Sequence, residues 1–286
     1  MFLRLVFQVA LVSTFPVALL GQSSEADLQT RLLNKPLYLR GLWQDDKLHF
    51  DSTGNPHGKP HTLPFTLSGI EITKVDLKAK SLLLEGRRVG LTFNDKFAPQ
   101  RVVLLAYSAQ GSHDEPMHIE MEAPSSGDYA SALDAVFTDD LASFVPSLPA
   151  AWQNYANKNL LHDSPPSDPK TEQPVSSPGV RQIGGGVSPP GVRHIGGGVS
   201  PPRVLSSAAP KYNEYAHTAK VTGSSLISLW IDEKGKPTHL SITRPLGVGL
   251  DEDALIAVQQ YVFAPAMEGD KPVAVHLNIE VNFSAF

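Results

Sequence analysis

The side chains from which this sequence could build chemistry are its histidines and carboxylates. His57 and His61 sit together in DSTGNPHGKPHTLP, and His113 is followed at once by Asp114 and Glu115. Such groups bind zinc when three or four of them converge. Proline and glycine inside the first pair predict a loop, and no third ligand stands at regular spacing, so no metal is expected. The acid pairs Asp45-Asp46 and Asp139-Asp140 suit a turn and a solvated helix rather than acid-base work. The chain contains no G-x-S-x-G elbow, no G-x-x-x-x-G-K-[ST] phosphate loop and no H-E-x-x-H. Its glycine triplets at 184–186 and 196–198 follow no predicted strand and open no predicted helix. Cysteine is absent, which excludes a thiolate nucleophile, a thiolate metal site and a disulfide framework together. The expectation is a protein without catalytic residues or cofactor; an enzyme in the N-terminal half would need a cleft with convergent polar residues.

A different set of polar residues carries more promise. In VAVHLNIEVNF, Val273, Val275, Leu277, Ile279, Val281 and Phe283 point one way, and Ala274, His276, Asn278, Glu280 and Asn282 the other. One face is buried and one is wet. A long strand of this kind at a sheet edge offers unpaired backbone groups to an added strand. His276, Asn278, Glu280 and Asn282 would then flank the docked segment; the alternative is an ordinary solvated face.

The elements around that strand are legible. PKYNEYAHTAK suits a short helix, and SSLISLWIDEKGKPTHLSITR gives a hairpin whose turn uses Gly235 for a positive φ. GVGLDEDALIAVQQYVFAPA predicts a helix capped by Asp251, with Glu252 and Asp253 near its positive end. Residues 210–286 therefore read as a small α-β-β-α-β domain, and the chain as α+β.

Upstream, 37–122 is a succession of strand-like runs (LYLRGLW, KLHF, PFTLSGIEITKVDL, SLLLEGRRVGLTF, RVVLLAYS, MHIEME) separated by turn material, as in an antiparallel sheet. Residues 128–145 change to helical spacing, with Tyr129, Leu133, Val136, Phe137, Leu141 and Phe144 on one face, and a short helix follows around 150–158. This makes 23–162 a β-rich domain with C-terminal helices. Residues 163–209 are rich in proline, glycine and serine and carry the tandem repeat GVRQIGGGVSPP-GVRHIGGGVSPP at 179–202. The segment has few large apolar side chains to offset its ordering entropy, so it is expected to be a disordered linker with a mean span of about 40 Å. Val180, Ile183 and Val187, with their copies Val192, Ile195 and Val199, could instead form a docking motif.

The first 22 residues place one cation, Arg4, before an apolar run and then small polar residues, the layout of a secretory signal or a short anchor. A net charge of -5 with no basic run excludes a nucleic-acid surface.

Residues from about 199 to 286 resemble the C-terminal domain of TonB-like energy transducers. The resemblance rests on Pro210, Tyr212 and Ala216, Gly223, Asp232 with Gly235, and Gly247, Gly249, Leu250, Asp251 and Ala254. It continues through Ala257, Val258, Phe263, Pro265 and Ala266 to Lys271, Pro272 and Val273. The chain departs from the family at Tyr212-Asn213, where Tyr-Pro is usual, and at Tyr261-Val262, where an aromatic-basic pair is usual. The resemblance implies an envelope protein of a Gram-negative-type cell that docks on outer-membrane transporters by strand pairing, through a proline-rich spacer. If the N-terminal segment is retained as an inner-membrane anchor, an inner-membrane proton-channel complex is its second partner. If that segment is cleaved, the protein is a soluble periplasmic interaction or ligand-binding module.

Overall fold

The computed structural model describes residues 22–41, 43–61, 68–94, 96–108, 111–161, 175–177, 180–183 and 192–284. The signal or anchor expected at the N-terminus and the greater part of the first repeat copy lie outside the described residues. Among the described residues, no helix is long and apolar enough to cross a membrane.

The N-terminal half opens with α1 (Glu25–Leu32), begun by a capping box between Ser24 and Asp27. Eight strands follow: β1 (Leu37–Leu39), β2 (Lys47–Phe50), β3 (Ser68–Leu77), β4 (Ser81–Phe93), β5 (Pro99–Val103), β6 (Leu105–Ser108), β7 (Gly111–Asp114) and β8 (Pro116–Glu122). Then come α2 (Ala130–Val136), β9 (Phe137–Thr138), α3 (Leu141–Phe144) and α4 (Ala150–Asn159). The sheet runs β2-β8-β4-β3-β1-β9, with β5 also on β4. Strand β4 organises it because its first half pairs with β8 and its second with β5. The pairing is antiparallel, as the short runs predict, except that β2 and β8 are parallel. No hairpin joins those two strands, so no tight turn fixes their direction.

Two expected elements are broken, each for a local reason. RVVLLAYS divides at the fully buried Leu104, whose amide donates to the Arg88 carbonyl and whose carbonyl accepts from the Glu115 amide. The helical run at 128–145 divides at β9, and Asp140 starts α3 afresh by accepting the amides of Ala142 and Ser143. The period still marks burial, since Tyr129, Leu133, Val136 and Phe137 all face the core beneath the sheet.

The C-terminal half consists of β10 (Val175–Ser177), β11 (Val180–Ile183), β12 (Val199–Ser200), β13 (Arg203–Ser206), α5 (Glu214–Thr218), β14 (Gly223–Ile231), β15 (Pro237–Arg244) and α6 (Leu250–Gln259). It ends with β16 (Val262–Ala264), β17 (Ala266–Glu268), β18 (Lys271–Val273) and β19 (Val275–Phe283). The order helix, strand, strand, helix, strand is present, elaborated by short strands between α6 and β19. The turn between β14 and β15 shows why Asp232 and Gly235 occur together. The Asp232 carboxylate accepts the amides of Lys234 and Lys236, while Gly235 takes φ +79° with the Phe263 carbonyl only 1.8 Å from where a Cβ would stand.

Asp251 is not the cap of α6. Gly249, in the left-handed region, occupies that position. Asp251 lies one residue inside the helix, fully buried, and its carboxylate accepts from the amides of Leu246 (2.9 Å) and Gly247 (2.8 Å) and from the Ser225 hydroxyl (2.6 Å). It therefore ties the loop before α6 to β14. Asn213, where the family has proline, caps α5 by accepting the Ala216 amide, and its side-chain amide donates to Val248 O and Asp253. A proline there could make none of these bonds.

The halves share a core. Leu91, Leu104, Trp152 and Tyr155 from the first pack in one cluster with Ile242, Leu250 and their neighbours from the second. The Val248 amide donates to the Leu91 carbonyl at 2.9 Å, and Gly247 (φ +96°) approaches so closely that a Cβ would lie 2.1 Å from that oxygen. Tyr155 donates to Phe97 O and Trp152 to Glu252, and α4 packs along β15.

Candidate docking site on the final strand

The C-terminal sheet runs β10-β11-β19-β14-β15. Strand β19 pairs with β14 along its whole length, from Val275 opposite Ile231 to Phe283 opposite Gly223. Its apolar residues Val275, Leu277, Ile279, Val281 and Phe283 are all buried. At about 1.5–3 kcal/mol per buried large aliphatic or aromatic side chain, this face fixes the register, because a slip of one residue would expose all five.

The two sides of this three-stranded unit differ. At β15, the last strand on that side, helix α4 packs along the strand. At β19 the edge is open to pairing, and a strand is already there: β11 runs antiparallel to it, with Arg181 opposite Glu280, Gln182 opposite Ile279 and Ile183 opposite Asn278. At the other end of β19, Arg193 forms a parallel bridge to Val275, its amide donating to the Ala274 carbonyl at 2.8 Å.

Of the four polar residues singled out on β19, Asn282 is exposed and the other three are half-buried. His276 Nε2 shares a 2.6 Å hydrogen bond with the Ser228 hydroxyl. Burial, and secondarily the charge of His194 in the second repeat copy, hold its pKa below the ordinary imidazole value. The Glu280 carboxylate accepts from Arg244 Nη2 and from the Ser224 hydroxyl, each at 2.6 Å. The Arg244 guanidinium also stands over the Phe97 ring of the N-terminal half. Asn278 Oδ1 is buried without a hydrogen-bond partner. Two of the four, His276 and Glu280, are thus bonded to side chains of β14 and β15, and what the edge offers an incoming strand is backbone. Ser224, Ser228 and Arg244 carry no motif signal: they appear in the sequence as ordinary members of a hairpin.

The other candidates are scattered. His57 faces Glu122, and His61 is bonded to Asp45 through both ring and amide. Asp114 and Glu115 are tied to Arg87 and Arg88, leaving His113 exposed on β7. Among the described residues no three metal-ligating side chains converge. A cavity of about 350 Å³ beside α2 is lined by Arg31, Arg40, Asp134, Thr138 and Ser143 among others. Its polar groups hold local structure: Arg31 pairs with Asp134, Arg40 Nε donates to the Asp134 and Phe137 carbonyls, and Thr138 is bonded to Ser143.

Comparison with protein families gives a match at residues 208–285, to the family described as Gram-negative bacterial TonB protein C-terminal. The chain carries a TonB C-terminal domain. The match begins just before α5 and includes every later element, so the hairpin, α6 and β19 all belong to that domain. It spans about a quarter of the chain and says nothing of the β-rich N-terminal half. No curated protein matches the sequence.

Proposed function

We propose that the TonB C-terminal domain of this protein docks on outer-membrane transporters by accepting a strand along β19, and so supports energy-coupled transport across the cell envelope. The observation that carries this reading is the antiparallel strand already paired on β19. Strand addition at such an edge is made through main-chain hydrogen bonds, and a short extended segment of a partner can supply the same bonds. In this reading the role is binding rather than catalysis.

The chain has no cysteine, which makes the test direct. In cell envelopes, Asn282→Cys should form a disulfide with single cysteines placed along the periplasm-facing segment of an outer-membrane transporter. Asp134→Cys, on the N-terminal half, should not. Equal yields from the two positions would overturn the reading.

A second reading, a periplasmic interaction module without energy transduction, is favoured by the shared core of the two halves, which holds the docking domain against its neighbour. The intact mass of the protein from cell envelopes separates the two. A retained N-terminal segment supports energy transduction from an inner-membrane anchor, and its removal supports the soluble module.

A further inference from the structure

The tandem repeat was expected to be a tether, and the fold gives it a poor position for that task. On one side it follows α4, whose Trp152, Tyr155 and Ala156 are buried in the shared core. On the other it leads into β12, where Val199 is buried and paired opposite Glu268, and then into β13, which pairs with β16. Both ends of the segment are fastened to one body, so length in the repeat does not separate the halves.

What the repeat does instead is reach β19 twice. Copy one contributes β11, opposite residues 278–280; copy two contributes the Arg193 bridge at Val275. Since β14 pairs with β19 through the same stretch, both contacts lie on the outward edge. Arg181 and Arg193 are equivalent positions in the two copies, which are identical except for Gln182 and His194. Main-chain pairing is indifferent to that exchange. Covering a Val-, Leu- and Ile-rich edge is also what keeps such a strand from pairing with other chains.

We propose that the repeat is a built-in occupant of the docking edge: either copy can lay its Val-Arg-(Gln/His)-Ile segment along β19, and that segment must leave before a partner strand can add. Its use as a gate rests on the docking function proposed above, whereas the self-pairing does not. The occupant belongs to the same chain as the edge it covers, which gives it an effective concentration on the order of millimolar. A partner strand therefore competes with a tethered rival and gains when the rival is removed. Duplication supplies a second copy that can re-cover the edge when the first is displaced.

The test compares the full chain with a five-proline variant of the same length, Val180→Pro, Arg181→Pro, Gln182→Pro, Ile183→Pro and Arg193→Pro, which removes the amide donors of both contacts. Hydrogen exchange should be at least tenfold faster in the variant for β19 amides that face β11, with those facing β14 still protected, which also shows that the domain remains folded. A synthetic peptide with the sequence of residues 179–186 should bind the variant at least fivefold more tightly than the parent. Equal exchange and equal peptide affinity would overturn the proposal. If both effects appear but neither form cross-links to a transporter, the docking function fails and self-pairing stands. If a transporter docks equally well on both forms, the gate fails and docking stands.

Discussion

Trp152 and Glu252, one hundred residues apart, are joined by a 2.9 Å hydrogen bond from the indole Nε1 to the carboxylate. The ring is buried against Phe93 and Tyr155, so the bond is a polar tie inside an apolar contact between the two halves. Trp152→Phe should lose about 1–2 kcal/mol, the bond and a small part of the packing, and Trp152→Ala about 3–5 kcal/mol, the bond and most of the packing. Denaturant unfolding followed by probes in each half should show one transition in the parent and two in Trp152→Ala. A single transition in both would mean that the coupling of the halves does not depend on Trp152.

A second tie runs through a buried charge. Arg88 is fully buried and donates to Glu115 Oε1 at 2.9 Å, to the carbonyls of Trp43 and Gln44 at 2.8 and 2.9 Å, and to Asp45 O. The Tyr215 hydroxyl of α5 reaches the same Glu115 oxygen at 3.4 Å. Arg88→Met should cost about 3–5 kcal/mol because it strands Glu115 in a dry site. Arg88→Met with Glu115→Gln should recover part of that loss. Midpoints of urea unfolding for the three proteins decide it, and a double variant no more stable than the single would place the cost in the lost carbonyl bonds instead.

Asp251 offers the cleanest local experiment. Asp251→Ala leaves the amides of Leu246 and Gly247 and the Ser225 hydroxyl without an acceptor in a fully buried position. The expected loss is about 3 kcal/mol or more. Ser225→Ala removes one donor and should cost about 1 kcal/mol. Comparable losses from the two would show that the hydroxyl, not the loop amides, is the important partner.

Much of this arrangement was readable from the sequence, and the unreadable parts have physical reasons. The alternation read from Val273 to Phe283 gave the strand and its buried face from Val275 onward, since period two follows from the pleat alone, while Val273 falls in the separate short strand β18. Asp232 and Gly235 were legible as a turn because their requirements are local. Asp251 was misplaced by two residues: an acid at a helix start reads as a cap, and its use in binding a loop depends on tertiary burial. The shared core was invisible because the faces of α4 and β15 that meet carry ordinary apolar residues. The repeat was the hardest case. Composition describes a segment's own capacity to bury surface and carries no trace of the pairings that β11 and Arg193 make with a strand more than eighty residues away.

The last prediction concerns pH. His276 is held below the ordinary imidazole pKa of about 6.5, first by burial and second by the nearby charge of His194. Below that value the unfolded chain takes up a proton that the folded chain resists. The contribution of His276 is therefore intact above about pH 7 and declines as pH falls through 6.5 toward the depressed folded value. His276→Gln keeps a side chain able to bond Ser228 and removes the titration. The parent should lose more stability than His276→Gln between pH 7 and pH 5, read as the change in urea midpoint of each protein. His194→Gln should reduce the parent's loss by a smaller amount, because the charge of His194 is the lesser of the two causes. Parallel pH profiles for parent and His276→Gln would show that the imidazole titrates in the folded protein as it does in the unfolded chain.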